Sequence, residues 1–149
     1  MKVALGNDHG GYVLREAVLE TLKKNKIEVT DFGTFTADSC DYPEYGLRVA
    51  EGVAEGKFDF GILLCGTGIG ISIAANKVKG IRAATVTDAF CAEACKKHNN
   101  ANVIAMGGRI ITPEQAKTVL QAYIDAGFEG GRHEKRVRQI ADIEAKYFK

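Results

Sequence analysis

One apolar run that stops at a cluster of glycines constrains this chain more than any other feature. Phe58 to Leu64 reads FDFGILL, Cys65 closes it, and Gly66, Thr67, Gly68, Ile69 and Gly70 follow. A strand this apolar is buried on both faces, which is the habit of strands in parallel sheets. The residues after the glycines are small and suit a helix, Ile69 to Lys77. A buried strand feeding a glycine turn and a helix start leaves backbone N–H groups free to hold an anion, and the helix dipole adds positive potential. A thiol at Cys65 would sit beside that cradle, where a thiolate is favoured. The alternative is a tight strand–helix turn with a buried cysteine.

The same alternation recurs along the chain. Lys2–Asn7 reads as a strand, and Tyr12–Lys24 carries apolar residues at helical spacing (Val13, Leu14, Ala17, Val18, Leu22). Ile27–Phe32 is a second strand, followed by a loop from Gly33 to Pro43 and a helix over Glu44–Glu55, with Pro43 suited to its first turn. After the central unit come a strand at Ile81–Val86 and a helix capped by Thr87 or Asp88 that runs to His98. Val103–Met106 is a fifth strand, Thr112 and Pro113 open a helix ending near Asp125, and a Gly130–Gly131 turn precedes a charged helix, Arg132–Tyr147. Five strands alternating with helices predict one α/β domain over residues 1–149, a parallel sheet with helices on both faces. All its strands are expected to be buried on both sides.

Composition narrows the function classes. The 149 residues are 46% hydrophobic and 26% charged with a formal net charge of +1, so no global field points to nucleic acid or a membrane surface. MKVALGNDHGG has no signal-peptide pattern, and no apolar run spans a bilayer, which favours the cytoplasm. The four cysteines, Cys40, Cys65, Cys91 and Cys95, form no C-x-x-C pair and no zinc spacing. Cys91 and Cys95, one helical turn apart, read as core packing.

Ligands of such sheets bind beyond the carboxyl ends of the strands. Asp8 and His9 follow the first strand, Asp41 and Tyr42 lie in the second connection, Cys65 and Thr67 follow the third strand, and Arg109 follows the fifth. His98, Asn99 and Asn100, just before the fifth strand, are counted with the same collection. The glycines do not complete G-x-G-x-x-G, because Ile71 stands where the last is needed, and no G-x-x-x-x-G-K-[ST] exists, so nucleotide binding is a weak reading. A cysteine phosphatase needs an Arg after five intervening residues; Ile71 occupies that position too. Proton transfer on a sugar fits better. An aldose–ketose isomerase needs a base and donors for enediolate oxygens. Cys65 offers the base, the N–H groups from Gly66 to Gly70 the donors, and Thr67 a hydroxyl to manage protons; no metal or other cofactor is required. A phosphorylated substrate needs cations: Arg132 and Arg136 share a helix face, and Arg109 and His9 are further candidates. Lys135 and Arg138 read as a solvated face, His98 as a cap or a ring-opening group, and His133 as structural or exposed.

At this point the blocks GNDHGG at 6–11, DYP at 41–43, CGTGIGISIAANK at 65–77, HNNANV at 98–103, GGR at 107–109 and GGRHEKRV at 130–137 come in an order that resembles the ribose-5-phosphate isomerase B and galactose-6-phosphate isomerase family over essentially the whole chain. The resemblance implies a three-layer αβα sandwich with a Rossmann-like five-stranded parallel sheet. It implies interconversion of ribose 5-phosphate and ribulose 5-phosphate in the non-oxidative pentose phosphate pathway, without a cofactor. By that likeness Cys65 is the base, Thr67 and residues 66–70 (Gly66, Gly68, Ile69, Gly70) hold the enediolate, and His98 with Asp8 assists ring opening. Asn99 helps hold the enediolate or the sugar, Tyr42 lines the sugar pocket, and His9, Arg109, Arg132 and Arg136 hold the phosphate. It further implies a homodimer or homotetramer with shared sites, His98 and Asn99 coming from the neighbouring chain. One branch of that family replaces the Cys with a Glu at the position of Ile71, so this chain resembles the Cys branch. It carries both blocks that the galactose-6-phosphate isomerases divide between two different chains, and is expected to be self-sufficient. A six-carbon sugar phosphate as substrate, a non-catalytic sugar-phosphate binding module and a redox-sensing thiol protein are the competing readings; Gly11 and Cys40 have no assigned role.

Overall fold

Each strand hands the chain to a helix long enough to return it to the starting edge, so neighbouring strands can only run parallel. That is the arrangement in the computed structural model, which describes residues 1–148. The elements are β1 (Lys2–Asn7), α1 (Arg15–Lys24), β2 (Glu28–Asp31), α2 (Tyr42–Ala54), β3 (Phe60–Cys65), α3 (Ile69–Ala75), β4 (Ala83–Thr85), α4 (Ala89–Asn99), β5 (Val103–Gly107), α5 (Pro113–Asp125) and α6 (Arg132–Tyr147). A short 3-10 turn, Tyr12–Leu14, leads into α1. The sheet order is β2-β1-β3-β5-β4, all pairs parallel. The chain turns one way from β1 to β2 and the other way from β3 onward. A crevice therefore opens beyond the carboxyl ends of β1 and β3.

The period-two alternation of β3 divides the core. Phe60, Ile62 and Leu64 pack with Leu14 of the 3-10 turn before α1 and with residues of α1, α4 and α5, including Val18, Leu22, Ala92, Cys95, Leu120 and Tyr123. Leu63 and Cys65 face the opposite layer with Val49, Ala50 and Val53 of α2 and Ile71 and Ala75 of α3. The result is the expected three-layer sandwich. Every residue of β3 is buried, and each large side chain there contributes about 1.5–3 kcal/mol of apolar burial. Tyr123 closes the first layer by donating its hydroxyl to the Ala101 carbonyl at 2.7 Å.

Local signals set the helix ends. Thr112 and Gln115 form a reciprocal capping box on α5 with Pro113 behind it, and the Asp88 carboxylate caps α4 through the Cys91 N–H at 2.7 Å. Asn100 takes the left-handed conformation (φ 47°) that ends α4.

Two expectations fail here. β2 and β4 are not buried on both sides: they are the edges, with mixed burial along Glu28–Asp31 and Ala83–Thr85. Cys91 and Cys95 do not share the core. Cys95 is buried, whereas Cys91 is exposed. Four residues overshoot a helical turn by about 40°, and Cys91 lies at the open margin of the stripe. Burial pushes the Cys95 thiol up to about 11, while the Asp88 hydrogen bond, more than burial, raises Cys91. Among the described residues no helix is long and apolar enough to cross a membrane.

Candidate active site

Three turns meet beyond β1, β3 and β5, backbone against backbone. Side chains cannot fit between them, which explains the glycine pairs in the sequence. A Cβ at Gly11 would lie 2.3 Å from the Leu64 backbone, one at Gly10 2.8 Å from Gly66 N, and one at Gly108 2.2 Å from the Gly10 carbonyl. Gly11, without a role in the sequence, is thus required by close approach. Backbone hydrogen bonds fix the same junction: Asp8 N–H to Leu64 O at 3.1 Å, Gly108 N–H to Cys65 O at 2.8 Å and Arg109 N–H to Gly66 O at 2.9 Å.

Cys65 lies at the floor of this junction, 4% exposed, and its Sγ accepts a hydrogen bond from the Gly68 N–H at 3.1 Å. Gly68 makes that possible with φ 79°, a left-handed conformation costly for any residue with a Cβ. Thr67 is exposed at the rim, and its hydroxyl accepts from the Ile69 N–H at 3.1 Å. Ile69 and Gly70 form the first turn of α3, and the Tyr42 ring is laid against Gly70, where a Cβ would come within 2.7 Å of it. Ile71 is fully buried between α3 and α2, away from the opening.

Around the thiol stand polar side chains from the other strand ends. Asp8 is buried, and its Oδ1 accepts from the Gly11 N–H at 3.0 Å, closing the turn that carries His9. His9 Nδ1 accepts from the Cys40 N–H at 3.2 Å, which leaves Nε2 as the ring's donor and gives Cys40 a backbone role. The Arg109 guanidinium covers Gly66, with Nη1 2.9 Å from where a Cβ would be. Behind Asp8, the Arg15 fork spans Asn7 Oδ1 (2.6 Å) and both Asp31 oxygens (2.9 and 2.5 Å), tying the ends of β1 and β2 together.

The remaining candidates lie elsewhere. α4 runs antiparallel to the strands, and its last turn, with His98 and Asn99, ends just before β5 begins. Gly107 of β5 pairs beside Cys65 and Val103 beside Gly61, so His98 belongs to the opposite end of the sheet. The five residues of β5 alone separate the two ends by about 13 Å. Counting His98 with the strand carboxyl ends is therefore wrong within one chain. Arg132 and Arg136 go with His98, not with His9 and Arg109: α6 packs on α4, and the His98 and His133 rings stack with centroids 4.4 Å apart. Farther along α6, Glu144 accepts from the Gly80 N–H at 2.7 Å, in the connection that enters β4.

This second cluster contains groups that sequence reasoning missed. The Glu129 N–H donates to the Lys97 carbonyl at 3.1 Å, holding the loop before α6 against the end of α4. Its carboxylate lies 3.5 Å from His98 Nε2 and 3.8 Å from His133 Nε2. His133 is buried, the structural of its two readings, and burial first, then the charges of His98 and Arg132, hold it below its ordinary value. No pattern in the sequence joins these residues; only the packing of α6 on α4 does. Among the described residues, no carboxylate pairs with Arg109, Arg132 or Arg136, whereas Arg15, Arg48 and Arg138 are each paired.

Comparison with known proteins places the chain in a family and agrees with its fold. A family model described as ribose/galactose isomerase matches residues 3–140. The chain belongs to this family. It is 45% identical over 145 residues to ribose-5-phosphate isomerase B of Escherichia coli, covering 97% of each chain. The solved structure of Clostridium thermocellum ribose-5-phosphate isomerase B superimposes with a TM-score of 0.96 at 50% identity, covering 99% of each chain. That of Mycoplasma genitalium ribose-5-phosphate isomerase B with bound ribulose-5-phosphate gives 0.93 at 37%, covering 97% of each. Membership makes this chain an isomerase of the sugar-phosphate class.

Proposed function

We propose that this isomerase interconverts D-ribose 5-phosphate and D-ribulose 5-phosphate through an enediolate, with Cys65 as the base, in the non-oxidative pentose phosphate pathway. The observation that carries the reading is the Cys65 sulfur at the floor of a strand–helix turn, receiving the Gly68 N–H at 3.1 Å. A sulfur that accepts a backbone hydrogen bond is oriented and held, and backbone N–H groups of a glycine turn suit the stabilisation of charge that develops beside it. The thiolate takes the proton from the carbon beside the carbonyl and returns it to the neighbouring carbon. Thr67, on the exposed rim, moves the hydroxyl protons. Tyr42 against Gly70 walls the sugar pocket.

The same reading requires a second copy of the chain. His98 and Asn99, which open the ring and hold the sugar, and Arg132 and Arg136, which bind the phosphate, lie at the far end of the sheet from Cys65. A homodimer or homotetramer brings them over the Cys65 opening of a neighbour, to meet His9, Asp8 and Arg109. Exposed apolar side chains on α3 (Ile69, Ile73), α4 (Phe90) and α6 (Ile140, Ile143, Tyr147) supply surface for that association.

The test is purified protein with ribose 5-phosphate and excess chelator, following ribulose 5-phosphate. Turnover that disappears in Cys65→Ala is expected. Absence of product, or an undiminished Cys65→Ala variant, overturns the proposal. The ratio of kcat/KM for ribose 5-phosphate and a six-carbon sugar phosphate sets the substrate.

A further inference from the structure

His98, Glu129 and His133 offer three ligand atoms that all lie within 4.8 Å of one another. They come from two segments locked together by backbone: Glu129 N–H to Lys97 O at 3.1 Å and His133 N–H to Gly130 O at 3.0 Å. A tetrahedral zinc site with bonds of about 2.0–2.2 Å to imidazole nitrogen and carboxylate oxygen places adjacent donors about 3.3–3.5 Å apart. The Glu129 oxygen already stands 3.5 and 3.8 Å from the two Nε2 atoms. Two imidazoles and one carboxylate suit a borderline transition-metal ion, not calcium or magnesium, and leave a fourth position for water.

We propose that these three side chains bind one Zn2+ per chain, and that its occupancy withholds His98 from proton transfer. The two rings stack at an interplanar angle of 17°, and parallel stacked rings cannot both aim a lone pair at one ion. His133 is the fixed ligand, with its side chain 11% exposed. His98, 44% exposed, is free to turn out of the stack and converge on Glu129. Arg132 and Arg136 act on His133 and oppose a cation, while Lys97 is engaged by Glu93. The balance favours a reversible, inhibitory ion over a permanent structural one. Sugar phosphate and zinc then compete, since the arginines that attract one repel the other. The inhibitory consequence rests on the proposed role of His98; the metal site itself does not.

The experiment is equilibrium dialysis of chelator-stripped protein against Zn2+, with metal analysis, on the wild type and on Glu129→Gln and His98→Asn. Both substitutions fall on half-exposed side chains. One zinc per chain is expected, weakened at least about tenfold in each variant. In parallel, the imidazole proton resonances of His98 and His133 shift together on zinc addition, a readout that needs no variant. Absence of bound zinc, or zinc retained equally by both variants because the thiols hold it, overturns the site. Zinc bound by these three donors with isomerisation undiminished overturns the inhibition. Because binding is read without substrate, failure of the isomerase reading would show separately, as a protein that binds zinc and turns over nothing.

Discussion

The two ends of the sheet are built in different ways. At the carboxyl end, Cys65 and its surroundings are fixed by backbone: three turns pack without side chains between them, and hydrogen bonds join Asp8, Cys65 and Gly66 to their neighbours. At the other end, His98, Glu129, Arg132, His133 and Arg136 are side chains on two helices and the loop before α6, all but His133 half-exposed or exposed, with a ring stack and long ion contacts among them. Rigid donors suit the step in which charge develops, because no reorganisation is needed at that moment. Exposed cations suit capture of a phosphate that arrives and leaves. The contrast teaches that the two clusters lie at opposite ends of the sheet, and under the proposed function they are two half-sites completed by a second copy.

The largest expected effect breaks the rigid half. Cys65→Ala should lower kcat by about 10^3-fold, the contribution of a positioned base, with KM for ribose 5-phosphate little changed. A steady-state assay of both parameters checks it, and a change confined to KM would remove the thiol from the chemistry.

Next comes a test of the division itself. His98→Asn alone should slow turnover about 10²-fold, and mixing it with Cys65→Ala under subunit exchange should restore activity. Random pairing in a dimer gives half mixed dimers, each with one intact site, so about a quarter of wild-type activity returns. If each site lay within one chain, neither partner would hold both groups and mixing would return nothing.

How legible each half was follows from the distances in sequence over which it is assembled. The strand–turn–helix unit at Phe60–Ala75 is local, so periodicity and glycines announced it, down to the cysteine at its floor. The five-stranded parallel sheet was equally readable, since alternation admits few topologies. Which strands form the edges was not, because sheet order depends on packing of distant segments; β2 and β4 therefore proved less buried than their apolar sequences suggested. The placement of His98 shows the same limit. Adjacency to β5 in sequence put it with the strand ends, but it precedes β5, and a residue before a parallel strand lies at the opposite end from one that follows. Glu129 and His133 were beyond reach, since only the packing of α6 on α4 brings them to His98.

A smaller effect returns to the rigid half. Gly68→Ala combines φ 79° with a Cβ only 2.9 Å from the Met106 backbone, so the turn must shift. Stability should fall by about 1–3 kcal/mol, and the Gly68 N–H should leave the sulfur. Denaturant unfolding gives the first number. The second appears as a kcat loss of about tenfold or more in protein that remains folded, consistent with the cost of removing one aimed donor. Retained stability with retained kcat would show that the left-handed turn is not required.

The smallest effect concerns the side-chain half and depends on pH. His133 is held below its ordinary value by burial first and by His98 and Arg132 next, with Glu129 opposing them. The unfolded chain therefore binds the proton more readily than the folded one near the ordinary histidine value of about 6.5. The contribution of neutral His133 to stability is complete above that value and is lost as pH falls toward and through the lower folded value. Thermal unfolding between about pH 7 and pH 5 should show Tm falling with acidity, and the fall should be shallower in His133→Asn, which keeps a polar group but cannot titrate. Parallel slopes in the two proteins would mean that protonation of the stack does not destabilise this end of the molecule. A difference would show instead that acid loosens the side-chain half through its buried histidine, while the backbone-built half around Cys65 holds.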